Sequence, residues 1–94
     1  MQFSFTVGMN EQHRVDFSFD KFIGTLEIKV DGQTAISDFR IASLSLTKRY
    51  DLMVGINEKH HVAIEKTRKL FLAGLRPMKY GVFIDGQLVQ TYEG

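Results

Sequence analysis

Apolar and polar residues alternate along most of this chain. Phe3, Phe5, Val7 and Met9 are separated by Ser4, Thr6 and Gly8, and a period of two predicts a strand with one face buried. His13, Val15, Phe17 and Phe19 resume the alternation, with Arg14, Asp16, Ser18 and Asp20 facing water. Asn10-Glu11 lies between the two runs and predicts a tight hairpin turn, because Asn tolerates the positive φ such turns need. Gly24, Leu26, Ile28 and Val30 form the next inward set, closed by the strong turn pair Asp31-Gly32. Beyond it the parity changes. Phe39 and Ile41 share one face and Leu44 and Leu46 the other, which places an irregularity near Ala42-Ser43. Thr47-Lys48-Arg49 reads as a hairpin connection.

The pattern then repeats. Val7-Gly8-Met9-Asn10-Glu11-Gln12-His13-Arg14-Val15 returns as Val54-Gly55-Ile56-Asn57-Glu58-Lys59-His60-His61-Val62, with six of nine positions identical and no gap. Val30-Asp31-Gly32-Gln33 returns as Ile84-Asp85-Gly86-Gln87. In the second copy Tyr50, Leu52, Val54 and Ile56 lead into the turn. His60, Val62 and Ile64 face inwards after it, and His61, Ala63 and Glu65 outwards. A last hairpin pairs Tyr80–Ile84 with Leu88–Tyr92. The first echo is offset by 47 residues and the second by 54. About seven extra residues therefore lie within Thr67 to Met78, where Gly74 and Pro77 argue against a long helix.

Eight or so short hairpin-linked strands in a single flat sheet would leave an apolar face wet. The expected fold is therefore all-β: an antiparallel β-sandwich of about eight strands with an internal pseudo-twofold duplication, forming one domain over residues 1–94. The predicted core is Phe5, Val7, Val15, Phe17, Leu26, Ile28, Val30, Leu52, Val54, Val62, Ile64, Val82 and Ile84.

Composition narrows the function classes more than it names one. The net charge is +1, so charge alone forces neither a nucleic-acid nor a membrane partner. Cysteine is absent, which excludes disulfides, thiol catalysis and thiolate zinc sites. The first ten residues do not read as a signal peptide, and no apolar run reaches membrane-spanning length. The default expectation is a cytoplasmic protein.

Taken in order, several features resemble the N-terminal domain of the Fas apoptosis inhibitory molecule. These are His13 with Val15 and Phe17, the strand ending Val30-Asp31-Gly32, the hairpin reached at Val54-Gly55, and the pair carrying Ile84-Asp85-Gly86. The resemblance runs from His13 to Tyr92. It implies an antiparallel β-sandwich without enzymatic activity that acts through protein contacts.

Three sets of residues are candidates for function. Leu70, Phe71, Leu72, Leu75 and Arg76 form an apolar stretch in the extra segment 67–78. It either completes the core or binds a protein partner or a second copy of the chain, and a sheet edge offers another route to association. Lys66, Arg68, Lys69 and Lys79 belong to a basic tract over residues 59–79, with Phe71 and Tyr80 nearby, and make nucleic-acid binding the alternative reading. His13 and His60, each two residues after a Glu, form a minor alternative as a metal-binding or hydrolytic site. The preferred reading has each His at the core rim, bonded to a backbone carbonyl. No serine sits in a glycine-flanked elbow, no acid pair has catalytic spacing and no glycine-rich phosphate loop is present. The expectation is therefore no enzyme, no metal and no cofactor.

Overall fold

The computed structural model describes residues 1–20, 23–39, 47–67 and 78–94. They form eight strands: β1 (Gln2–Val7), β2 (His13–Phe19), β3 (Thr25–Val30), β4 (Gln33–Phe39), β5 (Thr47–Val54), β6 (His60–Thr67), β7 (Lys79–Ile84) and β8 (Gln87–Glu93). Each copy of the repeat makes one complete antiparallel sheet, in the orders β1-β2-β3-β4 and β5-β6-β7-β8. The two sheets pack as a sandwich. No helix among the described residues is long and apolar enough to cross a membrane.

Aromatic contacts fix how the sheets face one another. Phe3 of β1 stacks on Tyr92 of β8 with ring centroids 4.0 Å apart, and Phe17 of β2 meets Tyr80 of β7 edge-on at 5.3 Å. At the position the repeat relates to Phe3 and Tyr92, the Tyr50 hydroxyl of β5 donates to Asp38 of β4 at 2.8 Å. Thus β1 lies over β8 and β5 over β4. The hairpin turns gather at one end of the sandwich. At the far end the Met1 ammonium donates to the Phe19 carbonyl at 3.0 Å, and Met78 and Gly94 exchange backbone bonds.

The core follows the alternation. Val7, Val15, Phe17, Leu26, Ile28, Val54, Val62, Ile64 and Val82 are buried as expected, joined by Phe3, Phe19, Tyr50 and Tyr80. Phe5, Val30, Leu52 and Ile84 share the inward face but are only partly buried. They flank Val15 and Val62 in the pairing register.

Four local expectations need correcting. Thr47, Lys48 and Arg49 are strand, not turn, paired with Thr67, Lys66 and Glu65. They carry none of the residues that favour a turn, and their alternation continues into Tyr50 and Leu52. Ala63 is on the outward parity yet fully buried. It is a small side chain on an inner strand, opposite Asp51 and Phe83, with His61 and Glu65 two residues to either side on the same face. Its longer neighbours close over it, with Arg49 bonded to Asp51 and lying over the Phe83 ring. Met9 and Ile56 do not extend their strands: both are beyond the strand ends and strongly exposed, because the chain turns at Gly8 and Gly55. Finally, Asn10 and Asn57 are not where φ is positive. Among non-glycine described residues only Asp31 and Asp85 are, both at φ 51°. Each precedes a glycine at φ 83°, the pair of positive angles that a two-residue type I′ hairpin requires. The predicted irregularity at Ala42-Ser43 lies outside the described residues.

Candidate functional site

The repeated motif folds into a clasp between the two sheets. Val7 pairs with His13 and Val54 with His60, so each turn is a five-residue loop (8–12 and 55–59) rather than a tight two-residue one. The loop curls so far that a Cβ on Gly8 would lie 2.0 Å from the Glu11 carbonyl oxygen, and one on Gly55 would lie 1.9 Å from that of Glu58. Only glycine fits there. This curl aims three successive backbone N–H groups outwards as a nest for an anion.

Each nest is filled by the other copy's glutamate. The Glu58 carboxylate accepts from the N–H groups of Met9 (2.8 Å), Asn10 (2.8 Å) and Glu11 (3.2 Å). The Glu11 carboxylate accepts from Ile56 (2.6 Å), Asn57 (2.8 Å) and Glu58 (3.4 Å). The exchange is reciprocal: each glutamate's own N–H donates to the carboxylate of its counterpart. A histidine then holds each carboxylate from the side. His13 Nε2 lies 2.6 Å from Glu11 Oε2 and its Nδ1 2.5 Å from Asp31 Oδ2. His60 Nε2 lies 2.5 Å from Glu58 Oε2 and its Nδ1 2.6 Å from Asp85 Oδ2. The aspartates are themselves fixed, Asp31 accepting from the N–H of Arg14 and Asp85 from that of His61, both at 2.9 Å.

This corrects the expected histidine role. Both ring nitrogens face carboxylates rather than a backbone carbonyl. An ionised carboxylate only accepts, so with both carboxylates ionised this geometry is satisfied by an imidazolium ring that donates from both nitrogens. The electrostatics agree. His13 is raised above its usual range, chiefly by its bond to Asp31 and then by Glu11, and His60 by Asp85 and then Glu58. Glu11 is lowered to about 2, first by His13 and then by the Ile56 and Asn57 N–H groups. Glu58 is lowered to about 2 by His60 and then by the Met9 and Asn10 N–H groups. Asp31 and Asp85 are lowered mainly by their histidines. With both nitrogens engaged, neither ring offers a lone pair to abstract a proton or ligate a metal in this arrangement. Among the described residues no group of three or more His, Cys, Asp or Glu is placed to hold a metal ion.

Of the other candidates two fall on described residues. Lys66 is on β6, its Nζ 3.9 Å from the centroid of the Phe19 ring, and Lys79 is exposed at the start of β7. Arg68 and Lys69 lie outside the described residues. So do Leu70, Phe71, Leu72, Leu75 and Arg76, in the connection between the end of β6 at Thr67 and the start of β7 at Lys79. The carboxylate exchange and the role of Asp31 and Asp85 were missed from sequence. Their signal was present: the Gly, Glu, His and Asp that build the clasp are among the positions identical in the two copies.

No protein-family model, characterised protein or solved structure matches the chain.

Proposed function

We propose that the chain is a non-catalytic protein-interaction module that binds an extended segment along an open sheet edge. One observation carries this reading. Among the described residues strand β1 is an edge of its sheet, and it carries no bulge, no proline and no charged side chain, features that deter strand addition. An edge of this kind offers a ladder of free N–H and C=O groups, the basis of β-augmentation. The clasp supports the same reading, because its polar groups are spent on joining the two sheets. The resemblance to the Fas apoptosis inhibitory molecule domain points to the same class of function. A cytoplasmic setting belongs to this proposal too.

The reading is tested by selecting peptides from a random library on the immobilised chain. Enriched peptides are expected to lose binding to Ser4→Pro, which removes an edge N–H. A library that yields no binders, or binders indifferent to Ser4→Pro, overturns it.

A further inference from the structure

The strands among the described residues leave four edges, and three are blunted. In the β3–β4 register Ile28 pairs with Ile36 and Lys29 with Thr34, so β4 carries Ala35 as an extra residue. In the β7–β8 register Val82 pairs with Gln90 and Phe83 with Leu88, so β8 carries Val89 as an extra residue. Such bulges bend an edge away from a flat partner. Strand β5 carries Lys48, Arg49 and Asp51. Among these four edges of the described residues only β1, Gln2–Val7, is both regular and uncharged.

The backbone of β1 also has a definite orientation. Met1 and Phe19 exchange both of their bonds, ammonium to Phe19 carbonyl at 3.0 Å and Phe19 N–H to Met1 carbonyl at 2.9 Å. Bonded and non-bonded pairs alternate along an antiparallel ladder. Phe3–Phe17, Phe5–Val15 and Val7–His13 are therefore the bonded pairs, and Gln2, Ser4 and Thr6 turn their N–H and C=O groups to the open edge. Arg14, opposite Thr6, agrees: its N–H and carbonyl bond to Asp31 on the other side of β2.

We propose that two copies of this chain join through β1, antiparallel about Ser4, merging two four-stranded sheets into one of eight strands. The proposal rests on the edge-binding reading above and names its partner. Opposed residues in an antiparallel pair point to the same face, which restricts the registers. Centring on Ser4 sets Ser4 against Ser4 and Gln2 against Thr6, so every free backbone group of the three residues finds a partner. Centring on Phe3 or Phe5 leaves one of the three unpaired. The side chains agree. Phe3 meets the partner's Phe5 on the core face, covering a ring that the single copy leaves half-exposed and stacked 6.3 Å from Phe3. On the outer face no charges of β1 oppose one another. Beside it on β2, Arg14 and Asp16 are paired with each other at 2.8 Å and both contact the Ser4 hydroxyl.

Sedimentation velocity over a concentration series tests this on the full chain. The unaltered protein is expected to show a concentration-dependent dimer. Ser4→Pro, which leaves the β1–β2 bonds intact, is expected to be monomeric with unchanged circular dichroism. A second pair of variants tests the register independently. Gln2→Lys/Thr6→Lys opposes like charges and should abolish the dimer, whereas Gln2→Lys/Thr6→Glu opposes unlike charges and should keep it. A chain that is monomeric throughout overturns the proposal, as does a dimer that survives both Ser4→Pro and the double-lysine variant. If the chain is monomeric but library peptides still depend on Ser4, self-pairing fails and edge binding stands. If neither is seen, both fail.

Discussion

At Gly8 the chain tolerates no side chain. Its φ of 103° lies in the left-handed region, and an added Cβ would overlap the Glu11 carbonyl at 2.0 Å. Gly32 has a similar φ of 83° but nothing within 4 Å of a Cβ. Gly32→Ala should therefore carry only the left-handed backbone cost, about 1–2 kcal/mol. Gly8→Ala must also displace backbone, and should cost roughly 3 kcal/mol, the upper end of the range for local strain. Urea denaturation of the two variants checks the order; equal losses would mean the loop does not close as described. Tyr80 makes the opposite case. Its hydroxyl is buried with no hydrogen-bond partner among the described residues, and burial pushes its pKa up to about 12. Tyr80→Phe removes the unpaired group and keeps the ring contacts with Phe3 and Phe17. The expected gain is about 1 kcal/mol in the same measurement, and a loss of that size would show that the hydroxyl is satisfied in solution.

The elements follow the sequence wherever one face of a strand is buried and the other wet. Phe17 and Phe19 on β2, or Val62 and Ile64 on β6, could be placed from alternation alone, because a one-residue slip would turn the whole strand inside out. Asp31-Gly32 and Asp85-Gly86 were equally readable, since their positive φ angles suit few residue pairs. Strand ends were less so. Met9 and Ile56 keep the alternation but lie past the strand, where backbone curling at a glycine overrides the pattern. Ala63 illustrates another limit: outward parity predicts exposure only when neighbouring side chains are too short to cover the residue. The clasp was least legible. Glu11 and Glu58 read only as turn residues beside a histidine, because their other partners are backbone N–H groups 45 to 49 residues away in sequence, and backbone donors leave no trace in residue identity. Phe17 tests the register directly. It is 1% exposed and packs on Phe3 and Tyr80, so Phe17→Ala should cost about 3–5 kcal/mol. A loss below about 1 kcal/mol would place Phe17 outside the core.

For the molecule as a whole, the two sheets share no hydrogen-bonded strand pair among the described residues. Their association rests on the apolar core, on the Tyr50–Asp38 hydrogen bond and, at the turn end, on the charged clasp. The clasp makes that association pH-dependent in both directions. Glu11 and Glu58 have folded values of about 2, below the ordinary 4.5. Their contribution is complete above about 4.5 and is lost as pH falls from there through about 2. Asp31 and Asp85 act in the same sense, as do Asp16 and Asp51, held low by Ser4 and Arg49 first. His13 and His60 are raised above 6.5. Their contribution is complete below 6.5 and fades as pH rises through the raised folded values. Stability should therefore peak between about pH 4.5 and 6.5 and decline on both sides, with Tm from calorimetry tracing an asymmetric dome. Replacing both histidines, His13→Gln with His60→Gln, should lower the peak and flatten the alkaline limb. The acid limb should survive in part, because the backbone nests still favour the ionised glutamates. An alkaline limb of unchanged slope in the double variant would show that these two imidazolium rings do not hold the sheets together.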